Sequence, residues 1–168
     1  MSRQNFQQFM NVLEEFDQVM LVTARDGDLR SRPMEIGDVT DDGRLRFITR
    51  DDSAKLEEVS ESPQVNIAAQ GDRQFLSISG TARLSKDRDL IDRAWKMQQT
   101  PWFADGKDDP HVIVLEVIPM HAEYWDRSES GIVKTLFAGA MAALEDDEPL
   151  DENTVGEHGK IDFSGKPL

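Results

Sequence analysis

From Phe75 to Leu84 the chain alternates without a fault. Leu76, Ile78, Gly80, Ala82 and Leu84 fall on one side, and Phe75, Ser77, Ser79, Thr81 and Arg83 on the other. Successive side chains of a strand point to opposite faces, so this period of two demands a strand with one face on a core. A helix cannot use the pattern, because it would scatter the apolar groups around its circumference. Gly80, small and central, predicts a bulge or the close approach of another backbone.

The rest of the chain supplies strands of the same kind. Val19 to Ala24 is a β-prone run closed by Asp26-Gly27, a dipeptide suited to a tight hairpin. Leu29 to Thr40 is the expected return strand, and Pro33 within it implies an edge, a bulge or a strand end. After the turn Asp41-Asp42-Gly43, Leu45, Phe47 and Thr49 alternate with Arg44, Arg46 and Ile48, which reads as a half-buried strand. Gln64 to Gln70, Val112 to Ile118 and, beyond Pro119, His121 to Asp126 complete the set. Helices are expected at residues 3–16 behind Ser2, where Phe6, Phe9, Leu13 and Phe16 share a face, and at 54–60 behind Ser53. A third runs from Asp87 to about Gln98, with Leu90, Ile91, Ala94 and Trp95 on one face. Ile132, Val133, Leu136, Phe137, Ala140, Met141 and Leu144 fit a C-terminal helix, with the remainder loosely ordered. Six or seven strands joined mainly by hairpins point to an antiparallel barrel or sandwich with α elements. The expected division is a domain over 1–130 followed by a helix and acidic tail over 131–168.

Composition narrows the partners. The 168 residues include 33 acidic and 19 basic side chains, a formal charge of -14. Such a field repels nucleic acid and anionic membrane surfaces, although a local cation cluster can still hold a small anion. Cysteine is absent, which removes disulfides, thiolate metal sites and thiol nucleophiles. The opening residues lack the apolar stretch of a signal peptide, and no apolar run approaches a membrane span. A cytoplasmic location is the expectation.

Thr49 ends a strand, Ser53 opens a helix, and Lys55 sits in its first turn. Hydroxyls, free amides and the positive helix end would converge there with an ammonium group, as a phosphate monoester requires. Arg32 could add a bidentate contact from the preceding hairpin. The plainer alternative stays open: Ser53 only caps, Lys55 is solvated, and Arg32 pairs with Glu35 or Asp38. Trp102, Phe103, Tyr124 and Trp125 could stack on a planar ligand or could simply pack. His111, His121 and His158 show no metal spacing, and no metal site is expected. Serine-nucleophile elbows and glycine-rich phosphate fingerprints are missing. No residue type or spacing nominates a catalytic acid or base.

Read in order, Leu21-Val22-Thr23, Arg32-Pro33-Met34, Leu45-Arg46-Phe47-Ile48-Thr49, Ser53-Ala54-Lys55, Ser79-Gly80-Thr81-Ala82, Trp102-Phe103, Asp108-Asp109-Pro110 and Ala122-Glu123-Tyr124-Trp125-Asp126 form a specific set. They resemble the pyridoxamine 5'-phosphate oxidase-like FMN-binding split-barrel family, in its general stress protein 26 branch. The resemblance spans roughly residues 5–126, with Gly156-Glu157-His158-Gly159-Lys160 also similar. It implies a mainly β fold with α elements, a six-stranded antiparallel split β-barrel of Greek-key type, working as a homodimer with FMN at the interface. Carried onto this chain, Arg32, Ser53 and Lys55 would hold the FMN phosphate, and Pro33 and Met34 would lie along the ring edge. Main-chain groups near Phe47, Ile48 and Thr49 would contact the ring or ribityl chain. Trp102 would shape the covering loop, and Trp125 would reach the site from the partner subunit. An FMN-dependent oxidoreductase with a small-molecule electron donor or acceptor is the leading implication. A non-enzymatic flavin sensor or reservoir, and a barrel using haem or a deazaflavin, are the alternatives. After Trp125 the chain reads Asp126-Arg127-Ser128-Glu129, without the arginine and histidine arrangement that grips substrate phosphate in the oxidase proper. Oxidation of vitamin B6 phosphates is therefore not expected.

Overall fold

A computed structural model describes residues 3–127 and 157–163. In chain order these residues form α1 (Arg3–Glu14), β1 (Gln18–Arg25), β2 (Asp28–Glu35), β3 (Asp38–Val39), β4 (Leu45–Arg50), α2 (Ala54–Glu61), β5 (Gln64–Gln70), β6 (Gln74–Ser85), α3 (Arg88–Ala94), β7 (Val112–Asp126) and β8 (Glu157–Asp162). Two 3-10 turns, Met97–Trp102 and Gly106–Asp108, lie between α3 and β7. The strands make one antiparallel sheet in the order β2-β1-β5-β6-β7-β4-β3, with β8 added to β7. The alternating segment is its middle: β6 pairs with β5 on one edge and β7 on the other.

The main core lies on one face of this curved sheet. Leu21, Phe47, Ile67, Ile78, Leu115 and Val117 meet Phe9 and Leu13 of α1 there, all almost wholly buried. A second, smaller cluster joins Ile48, Val112 and Val114 to Ile91 and Ala94 of α3 and to Phe103. β4 therefore has both faces covered, where its alternation reads as half-buried. Arg46 is buried because Glu116 and Asp38 accept from it at 2.8 and 2.6 Å. The hairpin expected at Asp26-Gly27 forms with both residues at positive φ, +53° and +87°. Pro33 sits on β2, an edge strand, where its missing N–H removes nothing from the sheet interior.

Several expectations change. Six strands become eight among the described residues, because β3 and β8 are added. Leu29–Thr40 breaks in two at Ile36-Gly37, where the Gly37 amide donates to the Arg46 carbonyl at 2.9 Å. The strands expected on either side of Pro119 are one strand. Their register shifts between Ser79 and Gly80, and Gly80 faces Pro119. A Cβ at Gly80 would collide with the Ile118 carbonyl, so glycine permits the close approach that absorbs the proline. β7 changes its outer partner at the same place, from β4 up to Val117 to β8 from His121. The helix after Asp87 stops at Ala94 and gives way to the 3-10 turn, although Asp87 does cap it, accepting from the Asp89 and Leu90 amides. Glu157–Asp162, expected to be loosely ordered, pairs as β8. Ser2 and the helix expected over 132–144 lie outside the described residues.

Candidate functional site

The end of β4, the start of α2, β2 and the Trp102-Phe103 loop enclose a cleft of about 320 Å³. Pro33, Met34 and Glu35 come from β2, Ile48, Thr49 and Arg50 from β4, and Ser53 and Lys55 from the next turn. Seven residues expected to bind a cofactor thus meet in one place: Pro33, Met34, Ile48, Thr49, Ser53, Lys55 and Trp102. They converge because β4 leads directly into α2 while β2 runs beside them.

The polar end of the cleft holds groups without side-chain partners among the described residues. Lys55 is half-buried and makes no ion pair with another described residue. Burial, then the nearby Arg32 charge, pushes its ammonium below the usual lysine range, with Glu58 opposing. The Thr49 side chain is only 6% exposed, and its hydroxyl bonds to no other described side chain. Ser53 occupies the cap position without capping: its hydroxyl donates to the Arg50 carbonyl at 2.8 Å. The first amides of α2 are consequently left without the side-chain acceptor that a capping serine would bring. Opposite stands an apolar wall of Pro33, Met34, Ile48, Phe103 and Trp102.

Three expected residues lie elsewhere. Arg32 is held by Glu58, its Nη2 donating to Oε2 at 2.6 Å and to the Thr23 hydroxyl at 3.0 Å. It pairs with neither Glu35 nor Asp38. Glu58 is 1% exposed and also accepts from Arg30 at 3.0 Å and from Thr23 at 2.5 Å. Burial opposes its charge, but the Thr23 and Arg32 hydrogen bonds and the arginine charges hold the carboxyl below the usual range. The Phe47 side chain is in the main core, leaving only its backbone beside the cleft. Trp125 stacks flat on His158 across β7 and β8, centroids 5.2 Å apart and planes within 6°.

Glu58 and Arg50 carry no expectation from the sequence, and Glu35 enters there only as a possible partner of Arg32. Glu58 stands three residues after Lys55, on one helix face with it, the only local hint that the two share surroundings. Arg50 is chelated by Asp52, with Nε and Nη2 donating at 3.0 Å each, and its guanidinium sits 5.9 Å from the Phe103 ring. The histidines are dispersed: His111 on Asp51, His158 on Glu123, and His121 beside Asp162. Among the described residues no cluster could hold a metal ion, and no helix is long and apolar enough to cross a membrane.

Residues 4–150 match the family model described as "Pyridoxamine 5'-phosphate oxidase like". General stress protein 26 of Bacillus subtilis is 29% identical over 119 residues, covering 67% of this chain and 82% of that protein. Protein bli-3 of Neurospora crassa is 32% identical over 120 residues, 62% of this chain but only 56% of its own length. Among solved structures, a general stress protein 26 type protein of Jannaschia sp. CCS1 superposes with a TM-score of 0.72 at 27% identity, covering 96% of this chain and 100% of that one. The general stress FMN/FAD binding protein of Xanthomonas citri gives 0.63 at 28% identity, covering 74% and 90%. The mainly β split-barrel class expected from the sequence is the class of these neighbours. The match across most of its length shows that the chain belongs to the pyridoxamine 5'-phosphate oxidase-like family.

Proposed function

We propose that the cleft binds FMN and that the protein is a flavin-dependent oxidoreductase of the general stress type. The carrying observation is the pairing of two unpartnered polar groups, Lys55 and Thr49, with a continuous apolar wall. A flavin mononucleotide needs one dianion socket and one flat apolar surface, which Lys55 with Thr49 and the apolar wall would supply. Lys55, the Thr49 hydroxyl and the first amides of α2 would hold the phosphate, joined by the Ser53 hydroxyl if it turns from the Arg50 carbonyl. Pro33, Met34, Ile48 and Trp102 would border the ring. Arg32 supports the socket from behind, because Glu58 takes its Nη2 while Nε and Nη1 carry no acceptor among the described residues. The Xanthomonas citri relative is an FMN/FAD binding protein, which favours the same reading.

When bound, the flavin supplies electron transfer. The chain's part is binding, orientation and exclusion of water, since among the described residues the titratable side chains lining the cleft are Glu35, Arg50 and Lys55. A homodimer is part of the proposal. An apolar groove of about 510 Å³, lined by Val19, Met20, Ala68, Phe75 and Leu76, shares Pro33 with the cleft. Covering it would bring a second copy to the cleft's border.

Titration of the stripped protein with FMN, followed by flavin fluorescence and with riboflavin as control, tests the reading. FMN should bind tightly and riboflavin weakly. Lys55→Gln should weaken FMN by about tenfold or more, the worth of one charge-assisted contact, and leave riboflavin unchanged. Equal affinity for both flavins, or an indifferent Lys55→Gln, refutes the socket. Reduction of bound FMN by a nicotinamide donor no faster than that of free FMN removes the oxidoreductase and leaves a flavin store.

A further inference from the structure

Of the two cations that line the cleft, one is paired with a carboxylate and one has no such partner among the described residues. Arg50 is chelated by Asp52 at 3.0 Å. Just outside, Glu58 is shared by Arg32 at 2.6 Å and Arg30 at 3.0 Å, and Asp51 takes both Lys86 at 2.5 Å and His111 at 2.8 Å. Lys55 is the lining cation without a carboxylate among the described residues, and a flavin phosphate would use it. Glu35 lines the same cleft and forms no ion pair with another described residue. Once a dianion sits on Lys55, the lining offers a second anion the Glu35 carboxylate and no unpaired cation among the described residues.

The apolar side points the same way. Trp102 is 75% exposed although it lines the cleft, and Met97, in the same 3-10 turn, is 79% exposed. Its neighbour Phe103 is buried, tilted against Trp95 at 5.6 Å, so the loop is anchored one residue beyond the exposed indole. The Trp102 carbonyl accepts weakly from Arg50 at 3.5 Å, which ties the backbone and leaves the ring free. An indole standing in water on an anchored loop at the edge of an apolar cleft is a stacking platform.

We infer that the second ligand of this cleft is a planar aromatic molecule without negative charge, stacked against Trp102. The inference rests on the flavin reading and adds the class of molecule that meets it. A phosphorylated substrate would meet Glu35 and the flavin phosphate, with no unpaired lining cation among the described residues to hold it.

Calorimetric titration of the FMN-loaded protein with 2-naphthol and with naphthalene-2-sulfonate, equally planar and differing in charge, tests it without any turnover. Naphthol should bind at least about tenfold more tightly than the sulfonate. Trp102→Ala should weaken naphthol by about tenfold, and Trp102→Phe should recover most of that loss. Glu35→Gln should narrow the gap by strengthening the sulfonate. Sulfonate binding as well as naphthol, or an unmoved Trp102→Ala, overturns the inference. The FMN titration is read first on the parent protein, where failure to load flavin reports against the cofactor reading; parent and variants are then compared at saturating FMN, where failure to discriminate reports against this one.

Discussion

At the scale of single residues, Glu58 shows how one buried side chain can tie the fold together beside the proposed binding cleft. Its carboxylate is buried on α2, while its donors Thr23, Arg30 and Arg32 come from β1 and β2, so it ties helix to hairpin. Removing one partner of such a group strands the others. Glu58→Ala is expected to cost about 3–5 kcal/mol in denaturant unfolding at neutral pH. Because its folded value is depressed, Glu58 stabilises fully above the unfolded carboxylate value of about 4.3, and that contribution drains away as pH falls through the folded value. Acid unfolding of Glu58→Gln should accordingly be less steep than that of the parent between about pH 5 and 3. Lys55 carries the opposite lesson. With its ammonium pushed down by burial and by Arg32, FMN affinity should decline on the alkaline side at lower pH than an ordinary lysine of about 10.4 would give. A pH series of FMN titrations checks this. Lys55, Thr49 and Ser53 were legible as a group because a strand end and a helix start bring them together within seven residues. Arg32 was not, since its partner is chosen by how α2 lies over the hairpin.

Among the elements, the central strands carry the most information and the most surprise. Cross-strand neighbours Arg46, Glu116 and Arg83 form a charged row across β4, β7 and β6. Glu116 is wholly buried, and Arg83 Nη2 lies 2.5 Å from its Oε1 at an angle that makes no hydrogen bond, so that contact is ionic alone. Such a row is invisible to periodicity, which records polar positions and not what lies opposite them. Gly80 is the reverse case: its place in an otherwise perfect alternation already signalled a bulge or close contact. Gly80→Val should press a side chain into the Ile118 carbonyl and destabilise by about 1–3 kcal/mol, read as a shift of the unfolding midpoint at constant slope. Pro119 misled, because a proline in a strand normally marks its end; here the bulge opposite and the exchange of β4 for β8 let one strand continue.

For the whole molecule, the decisive feature is the return of the chain in β8. Ile161 is 2% exposed in the main core, Trp125 rests on His158, and Phe163 meets Phe9 edge-on at 5.9 Å. Residues distant in sequence thus close the sheet edge and the core together. Ile161→Ala should cost about 2–5 kcal/mol by equilibrium unfolding, the price of a cavity in the main core and not of a frayed tail. The mainly β class, the hairpin at Asp26-Gly27, the Thr49–Lys55 turn and the order of elements, apart from the break at Gly37, the continuity through Pro119 and β8, were determined by the sequence alone, because each depends on contacts within one or two turns of chain. Which faces of β4 are covered, that Glu58 takes Arg32, that Glu35 and Trp102 share a cleft with Lys55, and that β8 completes the sheet were decided only by the tertiary structure. Those outcomes depend on pairings between segments tens of residues apart, and local periodicity carries no record of a partner that distant.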